Sequence, residues 1–330
     1  MTFKRFVRLA AHTQLLPVLE SGEETLVGGQ AVIEGVMMRA PHSYCVAVRK
    51  PNGELVTEEA PLPRVSEKYP IFKYPVFRGV GTLGQAMWLG VKALKFSANA
   101  SLDENSPEAK AQSGKSQEIS PWIMTLNMIF SFSFFIFLYK FVPLYLTSQL
   151  ENVFPALHGR VAFNLVDGGI RMAIFLGFLY MISRWKDIRR VFEYHGAEHK
   201  VVFNFESGKD VNVANAQSFT TLHPRCGTSF LLVVMAVSTL VYTIVPVDGF
   251  AAKMAARIVL LPVIAGLSYE MIRFAAKRRG GLLATITAPG LWLQKITTQP
   301  PSDEQTQVAI HALQGAMALE EKQGGDLVIA

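Results

Sequence analysis

Two histidines four residues apart form the pattern in this chain with the clearest chemical meaning. The segment Glu193-Tyr-His195-Gly-Ala-Glu198-His199-Lys200 brings His195, Glu198 and His199 to one face if it is helical. Two imidazoles at this spacing can hold one Zn²⁺, and a carboxylate beside them can serve as a ligand or as a base toward water. The order His-x-x-Glu-His is that of inverted zinc peptidases. Since so short a pattern also arises by chance, surface or interfacial histidines are the alternative interpretation.

A second group follows downstream in His223-Pro-Arg225-Cys226. It supplies another imidazole and a thiol, and a thiolate ligand favours zinc or iron. Taken alone, His223 would be a residue at a helix entry and Cys226 a small buried apolar side chain. Together with the first group, these residues predict a site for a divalent metal, with zinc as the expected ion.

Ionisable residues also occur inside apolar stretches, where they are costly and therefore candidates for function. Glu270 lies in one such stretch as Gly266-Leu-Ser-Tyr-Glu270, and a pair with Arg273 on the next turn is the structural alternative. Asp167 and Arg171 are four residues apart in another stretch, and their spacing predicts a structural ion pair inside the bundle.

The elements that must position these residues are predicted to cross a membrane. The 330 residues are 50% hydrophobic and only 18% charged, and the mean hydropathy is +0.26, which is high for a soluble protein. A bilayer core about 30 Å thick needs about 20 apolar residues in a helix. Four stretches approach that length: 122–146, 161–183, 229–247 and 257–275.

The basic residues indicate how these stretches are oriented. They cluster between the second and third stretch and directly after the fourth, whereas the loops at 147–160 and 248–256 carry few. By the positive-inside rule, both termini and the 184–228 loop are therefore predicted to be cytoplasmic. The same topology explains the net charge of +6, so nucleic acid is not an expected partner.

The remaining segments complete the predicted organisation. A β element with a hairpin at Asn52-Gly53 precedes an interfacial or re-entrant helix, and a capping-box pattern at Ser302–Gln305 begins a C-terminal helix that packs back on the cytoplasmic body. Cys45 and Cys226 are expected to be reduced. The predicted units are a cytoplasmic or membrane-surface leader (1–27), the β element (28–76), the interfacial helix (77–100), a disordered linker (101–120), a four-helix transmembrane bundle with its His-rich loop (121–288), and the C-terminal segment (289–330).

Several motifs resemble, in order, those of the YqhQ-like family of bacterial membrane proteins: GGQAVIEGVMMR (28–39), FRGVGTLGQAMWLGVKALKFSANA (77–100), EYHGAEHKVV (193–202), LHPRCGTSF (222–230), GLSYE (266–270) and PGLWLQKITTQPPSDEQTQVAIHAL (289–313). The similarity covers nearly the whole chain after residue 27. It implies a multi-pass protein of the bacterial inner membrane, and the family is labelled a predicted metal-dependent enzyme. Its characteristic motifs then include His195, Glu198, His199, His223, Arg225, Cys226 and Glu270.

Three functions follow from these observations. The first is a membrane-bound metal-dependent hydrolase with His195, His199 and either His223 or Cys226 as ligands. In it Glu198 or Glu270 would be the general base, and Arg225 would stabilise developing negative charge. The substrate would be a lipid head group or a peptide near the interface. A closed set of three histidines and one cysteine would instead be structural zinc.

The second function is a non-enzymatic scaffold or assembly factor, in which the His cluster clamps the cytoplasmic loop to the bundle. Residues 28–39 and the C-terminal helix would then offer a docking surface for other membrane proteins or further copies of the chain. A transporter is the third, although four spans with few intramembrane charges provide little for a transport pathway. The lipid bilayer is an expected partner in all three.

Overall fold

The computed structural model of the chain describes residues 27–63, 65–101, 121–223, 226–277 and 281–322. Nearly all of the predicted leader (1–27) and the predicted linker (101–120) lie outside these residues, as do Pro224 and Arg225. The described part is mostly helical and has a small antiparallel sheet near its N-terminus.

The sheet is a meander of four neighbouring antiparallel strands, and it confirms the predicted β element. Residues Lys50 to Glu54 form the predicted turn between the third and fourth strands, closed by Lys50 N donating to Glu54 O at 2.8 Å. Asn52 Oδ1 also accepts from Glu54 N at 2.9 Å, which is the local bond that makes Asn favourable in turns. The strands are β1 (Gly28–Val32), β2 (Gly35–Arg39), β3 (Ser43–Arg49) and β4 (Leu55–Pro61).

Twelve α-helices are assigned within the described residues, joined in places by short 3₁₀ turns. They are α1 (Val65–Lys68), α2 (Phe77–Ala100), α3 (Pro121–Ile136), α4 (Val142–Val153), α5 (Arg160–Ile182), α6 (Lys186–Glu206), α7 (Val213–Ser218), α8 (Gly227–Ile244), α9 (Phe250–Val259), α10 (Leu261–Lys277), α11 (Gly281–Thr297) and α12 (Asp303–Lys322).

Helices cover both faces of the sheet, which explains why its central strands are apolar on both sides. Val36, Met38 and Cys45 pack with apolar residues of α6 and α12. Alternate residues such as Met37 and Val46 point to the other face and contact α2. Because successive residues of a strand face opposite sides, this alternation buries β2 and β3 almost completely.

The C-terminal helix begins at the predicted capping box. Ser302 N donates to Gln305 Oε1 at 2.9 Å, and Gln305 N donates to Ser302 Oγ at 3.2 Å, so each residue satisfies a backbone group of the other. The helix packs on the sheet and on α6 through Val308, Ala309 and Leu313. The helix thus packs back on another part of the chain, as predicted, while the cytoplasmic location of that part stays a prediction.

In the part of the chain that the structure describes, three continuous helices are long and apolar enough to cross a bilayer: Thr125–Val153, Arg160–Ile182 and Gly227–Ile244. Their outward surfaces are strongly apolar, with Leu126 and Phe130 each about two-thirds exposed. The first of these helices consists of α3, a π turn at Phe137–Phe141 and α4. It runs beyond the predicted end at 146. Pro143 lacks the N–H that would continue the regular ladder, which accounts for the turn at this point.

The fourth predicted span is a bent pair of helices and not a continuous segment over 257–275. α9 and α10 meet at an angle of 51°, and together they qualify as one further span. Pro262 follows the break, and a proline near the start of α10 cannot continue the hydrogen bonding of α9. The described residues therefore include three such helices, or four if the bent pair is counted as one span.

The predicted interfacial segment is the continuous helix α2. It packs on the sheet through Leu89 and Ala93 and carries exposed apolar residues on another face, among them Met87 and Trp88. Its position at a membrane surface stays a prediction.

Candidate metal centre

α6 positions three of the predicted site residues. Tyr194, Ala197 and Val201 lie on its apolar face and are buried against the sheet and α12. This packing sets the rotation of the helix, so His195 and His199, one turn apart, face the loop before α8 and the end of α11. Their ring centroids are 4.4 Å apart, as the predicted sharing of one helix face requires.

Backbone carbonyls hold both imidazoles in one tautomer. His195 Nδ1 lies 2.8 Å from Thr297 O, and His199 Nδ1 lies 2.5 Å from Thr221 O. A carbonyl oxygen can only accept, so each Nδ1 carries a proton, and in the neutral form of the ring Nε2 then has a free lone pair. This second contact is the arrangement that orients histidines in metal sites.

The ligand atoms of His195, His199 and Cys226 converge. One atom from each, the two imidazole nitrogens and the thiol sulfur, all lie within 4.8 Å of one another. Cys226 Sγ is 3.3 Å from His195 Nε2, and Cys226 is the N-cap of α8, where its sulfur accepts from Thr228 N. Burial lowers the pKa of His199, which favours the neutral imidazole that a metal requires. The three residues therefore form a group that could hold a metal ion.

Glu198 lies beside this group. Its Oε2 is 3.5 Å from His199 Nε2, and its side chain is nearly buried under β1. A Cβ at Gly29 would come within 2.7 Å of Glu198 Cγ, so the strand can lie this close to α6 because position 29 has no side chain. The predicted juxtaposition of Glu198 with the two histidines is present.

His223 faces a different carboxylate. Its ring lies 5.5 Å from that of His199, but its Nε2 lies 3.5 Å from Glu206 Oε2, and it is not one of the three converging ligands. Burial lowers its pKa to about 4, against an opposing effect of Glu198. Gln294 holds the backbone of His223 by accepting from its N–H at 2.7 Å and donating to its carbonyl at 2.8 Å. Of the two predicted alternatives, Cys226 is the residue that joins the histidines.

Two further residues were predicted for the site. Arg225 lies outside the described residues, so its role stays a prediction. Glu270 accepts from Arg78 Nε at 2.6 Å and forms a second bond with the same guanidinium, which links α10 to α2. Its partner is thus Arg78 and not the neighbouring Arg273. A catalytic role for Glu270 stays a prediction, and within the described residues it is not among the grouped ligand atoms.

The sequence did not point to the residues that hold the loop around the site. Lys200 is buried, and its Nζ donates to the carbonyls of Gln217 and Phe219 at 2.8 and 2.6 Å. These bonds fix the segment that presents the Thr221 carbonyl to His199. A lysine directly after the motif on a predicted helix was a weak signal, whereas Gln294 and the two carbonyls have no signature in the sequence.

Comparison with known proteins agrees with the motif resemblance. Residues 74–319 match the family described as "Protein of unknown function (DUF1385)". The chain is also 34% identical over 297 residues to "Uncharacterized protein YqhQ" of Bacillus subtilis (strain 168), covering 89% of this chain and 92% of the relative. No solved structure matches. The family match, together with 34% identity over nearly the full length of the relative, establishes that this chain belongs to the DUF1385 family.

Proposed function

We propose that this protein is a membrane-bound metal-dependent hydrolase whose centre lies at the cytoplasmic membrane interface, with His195, His199 and Cys226 holding a divalent ion, zinc by preference. The observation that carries the proposal is that backbone carbonyls anchor the Nδ1 atoms of both histidines, while one ligand atom each of His195, His199 and Cys226 lie within 4.8 Å of one another. A donor set of two imidazoles and one thiolate suits zinc.

Three protein ligands favour catalysis over a purely structural site. Structural zinc is closed by four protein ligands, whereas catalytic zinc keeps one position open. His223 is turned toward Glu206, so it does not complete the set in this arrangement. The ion would supply Lewis acidity toward a water molecule and a substrate oxygen.

Glu198 is the residue to which we assign proton transfer. Its carboxylate lies 3.5 Å from His199 Nε2, within reach of a nucleophile held beside that nitrogen. Oε2 would accept the proton of the attacking water and return it to the leaving group. Arg225, two residues from His223 and adjacent to Cys226 in sequence, remains our candidate for stabilising negative charge.

The surroundings support a substrate at the membrane surface. Aromatic residues of α2 and of the turn before it are at least half exposed, including Tyr74, Phe77 and Trp88. Aromatic side chains of this kind concentrate at the head-group level of bilayers. A lipid head group or a membrane-proximal peptide would meet the cluster from that level.

Metal content is the first test. Elemental analysis of detergent-purified protein should find about one zinc or iron per chain, and His195→Ala/His199→Ala should lose it. His311→Ala, an exposed histidine on α12, is the matched control and should retain the metal. A wild-type protein that stays metal-free after chelator-free purification and reloading would refute the metalloenzyme.

Glu198→Gln then tests catalysis. This isosteric change should leave metal content and thermal stability intact while abolishing hydrolysis in a screen of peptide, phosphodiester and ester substrates. Activity equal to that of wild type would show that Glu198 is not the base.

A structural clamp is the second candidate, and one observation favours it. The cluster joins α6, the start of α8 and, through Thr297 O, the end of α11, so an ion there would cross-link the sheet-bearing body to the bundle. If the ion is a clamp, its removal by a chelator should unfold the protein. If it is catalytic, the chelated protein should stay folded and inactive.

A further inference from the structure

A second cluster of charged side chains lies inside the bundle, away from the candidate metal centre. Asp167 and Arg171 of α5 form the predicted ion pair, and Arg257 at the end of α9 joins them. Arg257 Nη1 donates to Asp167 Oδ1 at 2.6 Å, while Arg171 bonds the other carboxylate oxygen and donates to Ser238 Oγ at 2.6 Å. All three residues are at most 2% exposed. A single carboxylate therefore serves two arginines.

Lys140 adds a third buried basic side chain. Its Nζ donates to Tyr242 Oη at 3.1 Å. The ring of Tyr242 also has the guanidinium carbons of Arg171 and Arg257 at 5.3 Å from its centroid. Three basic side chains thus surround one aromatic ring, whose electron-rich faces attract cations.

These partners leave an excess of positive charge. Asp167 can balance one cation, and a cation–π contact is a weak substitute for a counter-ion. Burying a charge without full compensation is expensive, which makes an additional anion favourable at this place. Arg257 has spare capacity for one, since its only guanidinium hydrogen bond within the described part of the chain goes to Asp167.

A cavity of about 230 Å³ opens onto this cluster. Arg257, Tyr242 and Asn164 line it, as do the more peripheral Arg160 and Lys253. Its other charged or titratable lining residues are His158, Glu151 and Asp248, and Glu151 lies 3.9 Å from Lys253. Pockets for drug-sized ligands measure about 300–1,000 Å³, so this smaller space suits a compact anion or a single head group.

The cavity and the metal centre lie at opposite ends of α8. Cys226 caps its start, and Tyr242 and Val245 at its end line the cavity. Eighteen helical residues rise about 27 Å, close to the thickness of a bilayer core. With the metal centre at one membrane surface, the cavity lies at head-group level on the other.

We propose that this cavity binds a phosphate group, either as a free ion or as the head group of an anionic lipid. Arginine is suited to phosphate because its planar guanidinium offers paired donors. The bound phosphate supplies negative charge to the two buried arginines, which share only Asp167 within the described cluster, and it reaches Arg160 and Lys253 at the rim. Phosphate binding here requires neither a metal ion nor hydrolase activity, but the placement of the cavity at head-group level rests on the proposed function.

The test uses the full-length protein in maltoside, whose uncharged head group contains no phosphate. Its Tm is followed by tryptophan fluorescence during titration with sodium phosphate, against sodium chloride at equal ionic strength. A parallel titration adds phosphatidylglycerol to the micelles. A ligand that binds only the folded state raises Tm in a saturable way.

Rim variants identify where the phosphate binds without removing the buried ion pairs. Arg160→Gln and Arg160→Gln/Lys253→Gln should weaken the apparent affinity by about tenfold or more, as expected for the loss of a charged hydrogen bond. Lys186→Gln, an exposed lysine at the start of α6, is the control and should respond like wild type.

The two titrations distinguish the sources of the phosphate. A response to both ligands, or to one alone, supports the site and identifies the head group, the free ion or both as its occupant. No saturable rise in Tm with either ligand overturns the proposal. A rise that persists undiminished in the double rim variant, or that Lys186→Gln loses equally, overturns it as well.

Discussion

The candidate metal centre and the basic cavity occupy opposite ends of α8 and organise polar side chains in different ways. At the first, backbone carbonyls orient two imidazoles next to a thiol. At the second, Asp167 holds two arginines by direct charge. Lone-pair donors at the first site suit a cation, whereas the excess of buried basic side chains at the second suits an anion. The two sites therefore differ in what an alteration should disturb, which is ligand affinity at the first and folding at the second.

The largest effect on stability is expected from a substitution of Asp167. Asp167→Asn should lower the free energy of unfolding by about 3–5 kcal/mol, because it leaves buried cations without their only carboxylate partner in the described cluster. Equilibrium unfolding in mixed micelles measures this loss, and zinc content should not change.

The matched control for that substitution is Glu151→Gln at the rim of the cavity. Its carboxylate is more exposed, and its separation from Lys253 is long, so a change within about 1 kcal/mol is expected. An Asp167→Asn protein as stable as wild type would mean that the cluster does not depend on this charge.

At the metal centre, Gly196→Ala should have a smaller effect on folding. An added Cβ would run into the carbonyl oxygen of Gln299 and crowd Thr221, next to the two carbonyls that orient the histidines. Overpacking of this kind costs about 1–3 kcal/mol. Misplacing such outer contacts lowers metal affinity by about 10–100-fold, which competition with a zinc-binding dye would measure.

Gly177→Ala on α5 is the appropriate comparison, because an added Cβ there meets nothing within 4 Å. It should keep the zinc affinity of wild type and change stability by no more than about 1 kcal/mol, in the stabilising direction that alanine favours in helices. Equal zinc affinity in the two alanine variants would argue against the role of the carbonyl contacts.

The smallest effect is expected at Tyr242 in the basic cluster. Tyr242→Phe keeps the ring beside the cations but removes the hydroxyl that accepts from Lys140, so a loss of about 1 kcal/mol is expected. Tyr242→Leu removes the ring as well and should cost more. Tyr180→Phe, on the exposed side of α5, should change stability by no more than about 0.5 kcal/mol. If the Phe and Leu variants were equally stable, the aromatic ring of Tyr242 would not contribute to the stability of the cluster.

Features that depend on spacing along one segment could be predicted from the sequence. The shared face of His195 and His199, the Asp167–Arg171 pair, the hairpin at Asn52-Gly53 and the capping box at Ser302 are all confirmed. In each, the covalent chain itself brings the groups together. Hydropathy likewise predicted where the apolar helices lie, apart from the bend between α9 and α10.

Contacts between distant segments could not be predicted in this way. Glu270 was expected near the metal centre, but its partner is Arg78, 192 residues away in sequence. Arg257, counted as the first residue of a fourth span, instead donates to Asp167 across 90 residues. Neither pairing follows from periodicity, because each requires two particular helices to pack side by side.

Patterns along the chain were enough to identify the candidate metal ligands and the helices that are apolar enough to cross a bilayer. Packing between distant segments places Cys226 beside the two histidines and His223 beside Glu206. It also brings three basic residues around Tyr242, next to a cavity. The two kinds of feature differ in how far apart along the chain the interacting residues lie. A helix places neighbouring side chains by its own geometry, whereas tautomers, ligand sets and charge balance depend on the groups that packing brings from elsewhere in the chain.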